Sequence, residues 1–201
     1  MTTTPINAIQ DEFLAQLPHH HLIVEADTGS GKSTRLPLWI ANHNSEKKVL
    51  VIEPRRIACV ALATYVATLA NTKLGHDVGY AIRFDQKFCN TTRILFVTPG
   101  IALRWLADNQ LSNFASIMID EFHERRWDTD LLLALLKKKN QHRLIITSAT
   151  IKGQQLAHYL GGKCLTSEGR MFPVPTSNHS TQPQNIPSTV NSEKHIQNTR
   201  K

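Results

Sequence analysis

One stretch limits what this chain can fold into more than any other: Glu25-Ala26-Asp27-Thr28-Gly29-Ser30-Gly31-Lys32-Ser33-Thr34, set between a short apolar run and an amphipathic one. Leu22, Ile23 and Val24 read as a buried strand entering it, and Leu36, Leu38, Trp39 and Ile40 as the apolar face of a helix leaving it. Strand, glycine turn and helix is the context in which such a loop binds phosphate. Gly29 and Gly31 let the backbone curl so that successive N–H groups point at phosphate oxygens, reinforced by the positive end of the following helix. Thr28, Ser30 and Thr34 complete the loop, Lys32 would reach the β and γ phosphates, and the Ser33 hydroxyl would ligate Mg²⁺. Ala26 stands where the usual pattern opens with glycine, and its methyl is accommodated if that position keeps φ negative. The competing reading is a glycine-serine surface turn ahead of a basic helix start.

At 201 residues the chain supports one sizeable core and is too short for two nucleotide-binding domains. No apolar run approaches the ~18 residues of a membrane span, and the N-terminus lacks a signal-peptide layout, so a cytoplasmic protein with no membrane partner is expected. Three cysteines, Cys59, Cys89 and Cys164, are far apart and beside apolar segments, which predicts buried free thiols. A net charge of +7 favours a polyanionic partner without establishing one.

Along the chain, Ile6, Ile9, Phe13, Leu14 and Leu17 predict a lead-in helix ending at Pro18, and His19, His20 and His21 follow. Three adjacent imidazoles cannot all face one ion on a strand, so a solvated connector is the better reading than a metal site. Val49 to Ile52 make a second buried strand, as parallel strands of a doubly wound sheet are. It delivers Arg55 and Arg56 to the carboxyl edge of the sheet, where ligands of open α/β folds collect. Arginines there suit phosphodiester contacts; a solvated pair is the alternative, although cations at a helix N-terminus oppose the macrodipole.

Val78 to Phe84 and Arg93 to Val97 predict further strands, the second stopping at Thr98-Pro99-Gly100. Thr98 and the backbone near Gly100 can approach a sugar-phosphate chain, and a turn with a helix cap explains them equally well. Ser116 to Ile119 form a strand that carries Asp120 and Glu121 to the same edge. Asp120 is placed to hold Mg²⁺ through its water shell, and Glu121 to orient and deprotonate an attacking water. A leucine-rich helix ends in Lys137, Lys138 and Lys139, which complement its C-terminal dipole. Leu144 to Ile146 is the next strand, closing on Thr147-Ser148-Ala149-Thr150. A short helix over Gln154 to Leu160 and a last strand over Cys164 to Ser167 follow. From about Thr176 the composition turns polar, and residues 176–201 are expected to be a disordered tail. The organisation is thus a lead-in and connector over 1–20, an α/β domain over 21–175 and the tail.

In their order these junctions resemble the superfamily 2 helicases and, within them, the DEAH-box branch. Thr28 to Thr34 resembles motif I, Pro54-Arg55-Arg56-Ile57-Ala58 motif Ia, Thr98-Pro99-Gly100 motif Ib, Asp120-Glu121-Phe122-His123 motif II and Ser148-Ala149-Thr150 motif III. Phe122 in place of the alanine of DEAH, followed by Glu124-Arg125 and Asp130 to Leu136, is most similar to the bacterial HrpB subgroup, in which alanine also commonly opens motif I. Val78-Gly79-Tyr80 and Gly169-Arg170-Met171-Phe172-Pro173-Val174 fit the same comparison, which covers roughly residues 5 to 175.

The resemblance implies an ATP-binding, RecA-like P-loop NTPase domain with a doubly wound, mostly parallel sheet. Lys32 and Ser33 would bind ATP and Mg²⁺, while Asp120 and Glu121 serve metal and water. His123, Ser148 and Thr150 would couple nucleotide state to strand binding, and Arg55, Arg56, Thr98 and Gly100 would grip RNA or another single-stranded nucleic acid. Tyr65 stands where the family usually carries a base-stacking arginine. Motifs IV to VI and their phosphate-stabilising arginines have no counterpart after residue 175. Missing arginine fingers lower phosphoryl-transfer rates by ~10³ to 10⁵, so the chain alone is expected to hydrolyse ATP weakly unless a second RecA-like domain is supplied in trans. A non-enzymatic nucleotide or RNA-binding module and an inactive remnant of a broken gene are the alternatives.

Overall fold

Period-two alternation decides which side chains of each strand meet which layer of helices. In the computed structural model, residues 4–43, 48–149 and 153–167 are described. Leu22 and Val24 of β1 (Leu22–Ala26) face one core and Ile23 the other. The same split runs through β2 (Lys48–Ile52), β6 (Phe114–Ile119) and β7 (Arg143–Ser148). The first core is closed by α1 (Gln10–Gln16), α2 (Lys32–His43) and α3 (Arg56–Leu69), with Phe13 and Trp39 rings 5.8 Å apart. The second is closed by α4 (Pro99–Ala107), α5 (Trp127–Lys139) and α6 (Gly153–Leu160). Apolar strands buried on both faces are what a parallel sheet between two helix layers requires.

The remaining strands are β3 (Val78–Ile82), β4 (Asp85–Lys87), β5 (Ile94–Val97) and β8 (Lys163–Ser167). The eight run in the order β4-β3-β5-β2-β6-β7-β1-β8, parallel except for the β3–β4 hairpin. The expected doubly wound α/β class is the one observed. The order has a chemical consequence. β7 lies between β1, which feeds the glycine loop, and β6, which feeds Asp120 and Glu121. Loop and acidic pair therefore sit one strand apart, which leaves room between them at the sheet's carboxyl edge.

Several boundaries differ from the sequence reading. The lead-in is a 3-10 turn over Pro5–Ile9 continued by the single α-helix α1. The strand expected over Val78 to Phe84 stops at Ile82, because Phe84 takes a left-handed φ of 70° and turns the chain into the short β4. Gly79 permits that return: a Cβ there would lie 2.5 Å from the Lys87 carbonyl oxygen. His21 is half-buried, its Nδ1 accepting the Leu144 N–H at 3.0 Å, so that member of the histidine run is structural. Thr150, the Gly169–Val174 segment and the 176–201 tail lie outside the described residues.

The thiol expectation needs one correction. Cys59 is buried in the first core and Cys164 half-buried, but Cys89 is exposed. It follows the exposed hairpin strand β4, and its Sγ lies 3.0 Å from Thr91 Oγ1. Hydrogen bonds from Thr91 and Thr92 lower the Cys89 pKa, whereas burial pushes Cys59 to about 12 and Cys164 to about 11. Because the thiolate is the reactive form, maleimide labelling of the folded protein should modify Cys89 first and Cys59 only on unfolding. Mass spectrometry that found Cys59 labelled at the Cys89 rate would contradict this packing.

Candidate functional site

The glycine loop takes its shape from two left-handed residues, Gly29 at φ 78° and Gly31 at φ 94°. Such angles cost little only without a Cβ. At Gly31 the space a Cβ would take is bordered by Thr4, 3.1 Å away. The loop is also held from that side, since the Ile6 N–H donates to the Ser30 carbonyl at 3.2 Å. Ser167, at the end of β8, donates to the Pro5 carbonyl at 3.0 Å and fixes the bracing segment in turn. Sequence reasoning missed this brace, because nothing in the lead-in turn's apolar spacing points to the loop. The Thr34 hydroxyl donates to the Gly31 carbonyl at 3.0 Å and closes the first turn of α2.

Lys32 is 2% exposed. Its Nζ lies 3.5 Å from Glu121 Oε1 and donates to the Asp27 carbonyl at 3.3 Å. The ammonium thus joins the glycine loop to the acidic strand end across the width of β7. Asp120 is fully buried at the end of β6. Its Oδ1 accepts from the Thr147 hydroxyl and from the Glu121 N–H, while Oδ2 is buried with no hydrogen-bond partner. Burial raises the Asp120 pKa, and the nearby Ser33 and Thr147 hydroxyls and the Lys32 charge oppose that rise. A buried carboxylate oxygen without a donor, beside an alcohol, is the donor set of a hard divalent cation. Ser33 and Asp120 therefore fit Mg²⁺.

Glu121 itself adopts a left-handed φ of 50°, a conformation rare for a non-glycine residue and frequent where backbone strain serves a site. It turns the chain into the 3-10 segment Phe122–Glu124. His123 Nδ1 is 3.3 Å from Glu121 Oε2 but outside hydrogen-bonding geometry, so the two are neighbours without a formed bond. Ser148 is fully buried on β7, opposite Glu25 of β1 in the parallel register. Thr147, at the same strand end, reaches Asp120 with its hydroxyl.

Glu53 is a second residue the sequence reading passed over. It is 2% exposed at the end of β2, beside β6, and its Oε1 accepts the Arg55 N–H at 3.0 Å. Burial, with Asp120 and Glu121 adding to it, pushes the Glu53 pKa from 4.5 to about 7. Arg55 is the N-cap residue of α3, and its guanidinium pairs with Glu124. Arg56 donates to the Arg83 carbonyl at 3.0 Å. These partners account for cations at a helix N-terminus. Both arginines line an open groove of about 990 Å³ whose floor is Ile57, Ala58, Val60, Ala61 and Ile82.

The other expected strand contacts stand apart from that pair. Thr98 is the N-cap residue of α4, yet its side chain makes no capping bond, which leaves its hydroxyl available for another acceptor. Gly100 is exposed with ordinary φ and nothing within 4 Å of a Cβ, so the fold does not require glycine there. Tyr65 is 55% exposed, on a later turn of α3 than the arginines. No group of three or more potential metal-ligating side chains of the imidazole, thiol and carboxylate types occurs among the described residues.

The raised Glu53 pKa makes stability pH-dependent with a definite sign. Between about 4.5 and 7 the folded chain keeps a proton that the unfolded chain has lost, so stability falls as pH rises through that window. Glu53→Gln should match the wild type in urea unfolding near pH 4 and exceed it by roughly 1–3 kcal/mol near pH 8. A difference independent of pH would show that burial of Glu53 carries no such penalty.

With this geometry in place, comparison with known proteins is direct. The family described as DEAD/DEAH box helicase matches residues 7–158. A Caenorhabditis elegans protein named probable ATP-dependent RNA helicase DHX35 homolog is 43% identical over 141 residues, covering 66% of this chain and 19% of that protein. The ATP-dependent RNA helicase HrpA of Borreliella burgdorferi is 38% identical over 179 residues, covering 85% and 22%. The crystal structure of the E. coli DExH-box NTPase HrpB matches with a TM-score of 0.79 and 37% identity, over 87% of this chain and 23% of that one. The chain thus spans about a fifth of the length of the curated relatives it matches.

Proposed function

Because this chain belongs to the DEAD/DEAH box helicase family, we propose that it is the ATP-binding, RecA-like part of an RNA helicase motor of the HrpB type. The observation that carries the reading is the Lys32–Glu121 pair, 3.5 Å apart, which joins the phosphate loop to the acidic strand end beside the buried Asp120 carboxylate. Loop N–H groups and Lys32 would hold the β and γ phosphates. Thr28, Gly29, Ser30, Gly31 and Thr34 shape that cradle. Ser33 and Asp120 would hold Mg²⁺, which when bound draws negative charge from the phosphate oxygens. Arriving phosphates compete for the Lys32 ammonium and release Glu121, whose carboxylate then accepts the proton of the attacking water.

The strand side of the reading assigns Arg55 and Arg56 to phosphodiester oxygens, with Thr98 and Gly100 offering a hydroxyl and a close approach. The apolar floor beside the arginines suits sugar and base edges. RNA is the substrate because the relatives matched over most of this chain are named RNA helicases. Tyr65 offers a ring to the ATP base. His123 and Ser148, with Thr150 beyond the described residues, pass nucleotide state to the strand. Full hydrolysis draws on transition-state arginines from a second RecA-like domain, so RNA-stimulated turnover by these residues alone would overturn that division. No helix among the described residues is long and apolar enough to cross a membrane, and a cytoplasmic setting suits the substrate.

Two measurements test the reading. Titration of a fluorescent ATP analogue with Mg²⁺ should give a Kd at least about tenfold weaker for Lys32→Ala, as loss of a charge-assisted phosphate contact implies; unchanged binding rejects the nucleotide site. The double substitution Arg55→Ala, Arg56→Ala should lower the salt slope of single-stranded RNA binding by about 1.4, since each phosphate contact contributes about 0.7. An unaltered slope rejects the backbone grip.

A further inference from the structure

The two ligand sites of the proposed motor touch the same residue. Arg55 is held on its backbone side by Glu53, whose buried carboxyl accepts the Arg55 N–H at 3.0 Å. Glu53 lies at the end of β2, and β2 is hydrogen-bonded to β6 up to the metal carboxylate, where the Asp120 N–H donates to the Ile52 carbonyl at 2.9 Å. On its side-chain side, the Arg55 guanidinium pairs with Glu124. Glu124 closes the 3-10 turn opened by Glu121, its N–H donating to the Glu121 carbonyl at 3.0 Å. Both paths from Arg55 therefore end at Asp120 or Glu121, within two hydrogen-bonded steps.

We propose that Arg55 is a further junction through which strand occupancy reaches the nucleotide site, with Glu53 and Glu124 as the positioning residues that hold it from behind and in front. This rests on the functional reading above. The two contacts differ in kind. Glu53 is buried and its bond to the backbone N–H is fixed, so α3 cannot shift its first turn without moving the carboxyl beside Asp120. The Arg55–Glu124 pair is solvent-facing, with the arginine side chain 64% exposed and the glutamate 21%. An exposed ion pair contributes little net stability, so a phosphodiester can take over part of the guanidinium's fork of donors at small cost. When it does, the constraint on Glu124 changes, and with it the turn that positions Glu121. Arg125 and Arg126 pair with Asp130 and Asp128 of α5. The far end of the acidic loop is thereby anchored, and a displacement at Glu124 falls on the Glu121 side.

Coupling between sites is a ratio of affinities, and it is reciprocal. The test uses the full chain, a fluorescent ATP analogue with Mg²⁺, and a single-stranded oligouridylate. For the wild type, saturating oligonucleotide should tighten the analogue Kd by about fivefold or more, the lower end of ordinary couplings. Glu124→Gln, which keeps size but removes the ion pair, should bind each probe alone within about twofold of wild type and reduce the ratio below twofold. Glu53→Ala should also reduce the ratio, and Glu53→Gln, which keeps an acceptor for the Arg55 N–H, should restore it. A merely structural role would move the unfolding midpoint and leave the ratio intact. An unchanged ratio in Glu124→Gln, or no ratio in a wild type that binds both probes, overturns the junction. A wild type that binds neither probe overturns the functional reading and the junction with it.

Discussion

The arrangement depends on the cost of placing carboxylates at the buried end of a parallel sheet. Glu53 and Asp120 are almost wholly out of water, Glu121 is half-buried, and the Lys32 ammonium lies 3.5 Å from Glu121. Isolated buried charges are disfavoured by several kcal/mol each, so the cluster persists only by sharing donors and protons. Thr147 and the Glu121 N–H serve one oxygen of Asp120, the Arg55 N–H serves Glu53, and Glu53 keeps its proton to near neutral pH. What is left over is Asp120 Oδ2, the oxygen that the Mg²⁺ role proposed for Asp120 and Ser33 would use.

Strand order turns that local chemistry into a cleft. The insertion of β7 between β1 and β6 separates the glycine loop from the acidic pair by one strand width, and Lys32 is long enough to cross it. A direct β1–β6 pairing would bring loop and carboxylates together with no space for phosphate between them. The same insertion lets Thr147 of β7 reach Asp120 and sets Ser148 opposite Glu25, so the middle strand borders both walls. Outward, Glu25 accepts the Gly153 N–H at 2.7 Å and caps α6, which ties the strand before the loop to the element after β7.

What could be read from the sequence was whatever is written in contiguous residues. Leu22 to Val24, Val49 to Ile52 and Ser116 to Ile119 announce strands by unbroken apolar runs, and each carries its functional residues immediately after it. Residues whose role depends on a neighbour far along the chain gave no such signal. Glu53 follows its strand with nothing in the adjacent residues to show that β6 brings Asp120 beside it. Thr147 had no assigned role, and only its place on β7 beside β6 brings its hydroxyl to the Asp120 carboxylate. Cys89 sat beside Phe88 and read as sheltered, yet the β3–β4 hairpin carries both outward. Glu124 followed a recognisable acidic pair but had no partner until the end of β2 brought Arg55 to it.

That last pairing bears on how the fold tolerates an arginine at the start of a helix, against its dipole. Without partners, Arg55 and Arg56 at the first turn of α3 would cost some tenths of a kcal/mol and tend to splay into solvent. Glu124 and the Arg83 carbonyl hold them instead in a defined pose beside the groove. Because the Arg55 pair is exposed, it contributes little net stability, whereas breaking a buried pair would be costly. The backbone N–H of the same residue, fixed to a buried carboxyl, supplies the stiffness that the side chain lacks. One residue thus joins an exposed side-chain contact to a bond with a buried carboxyl.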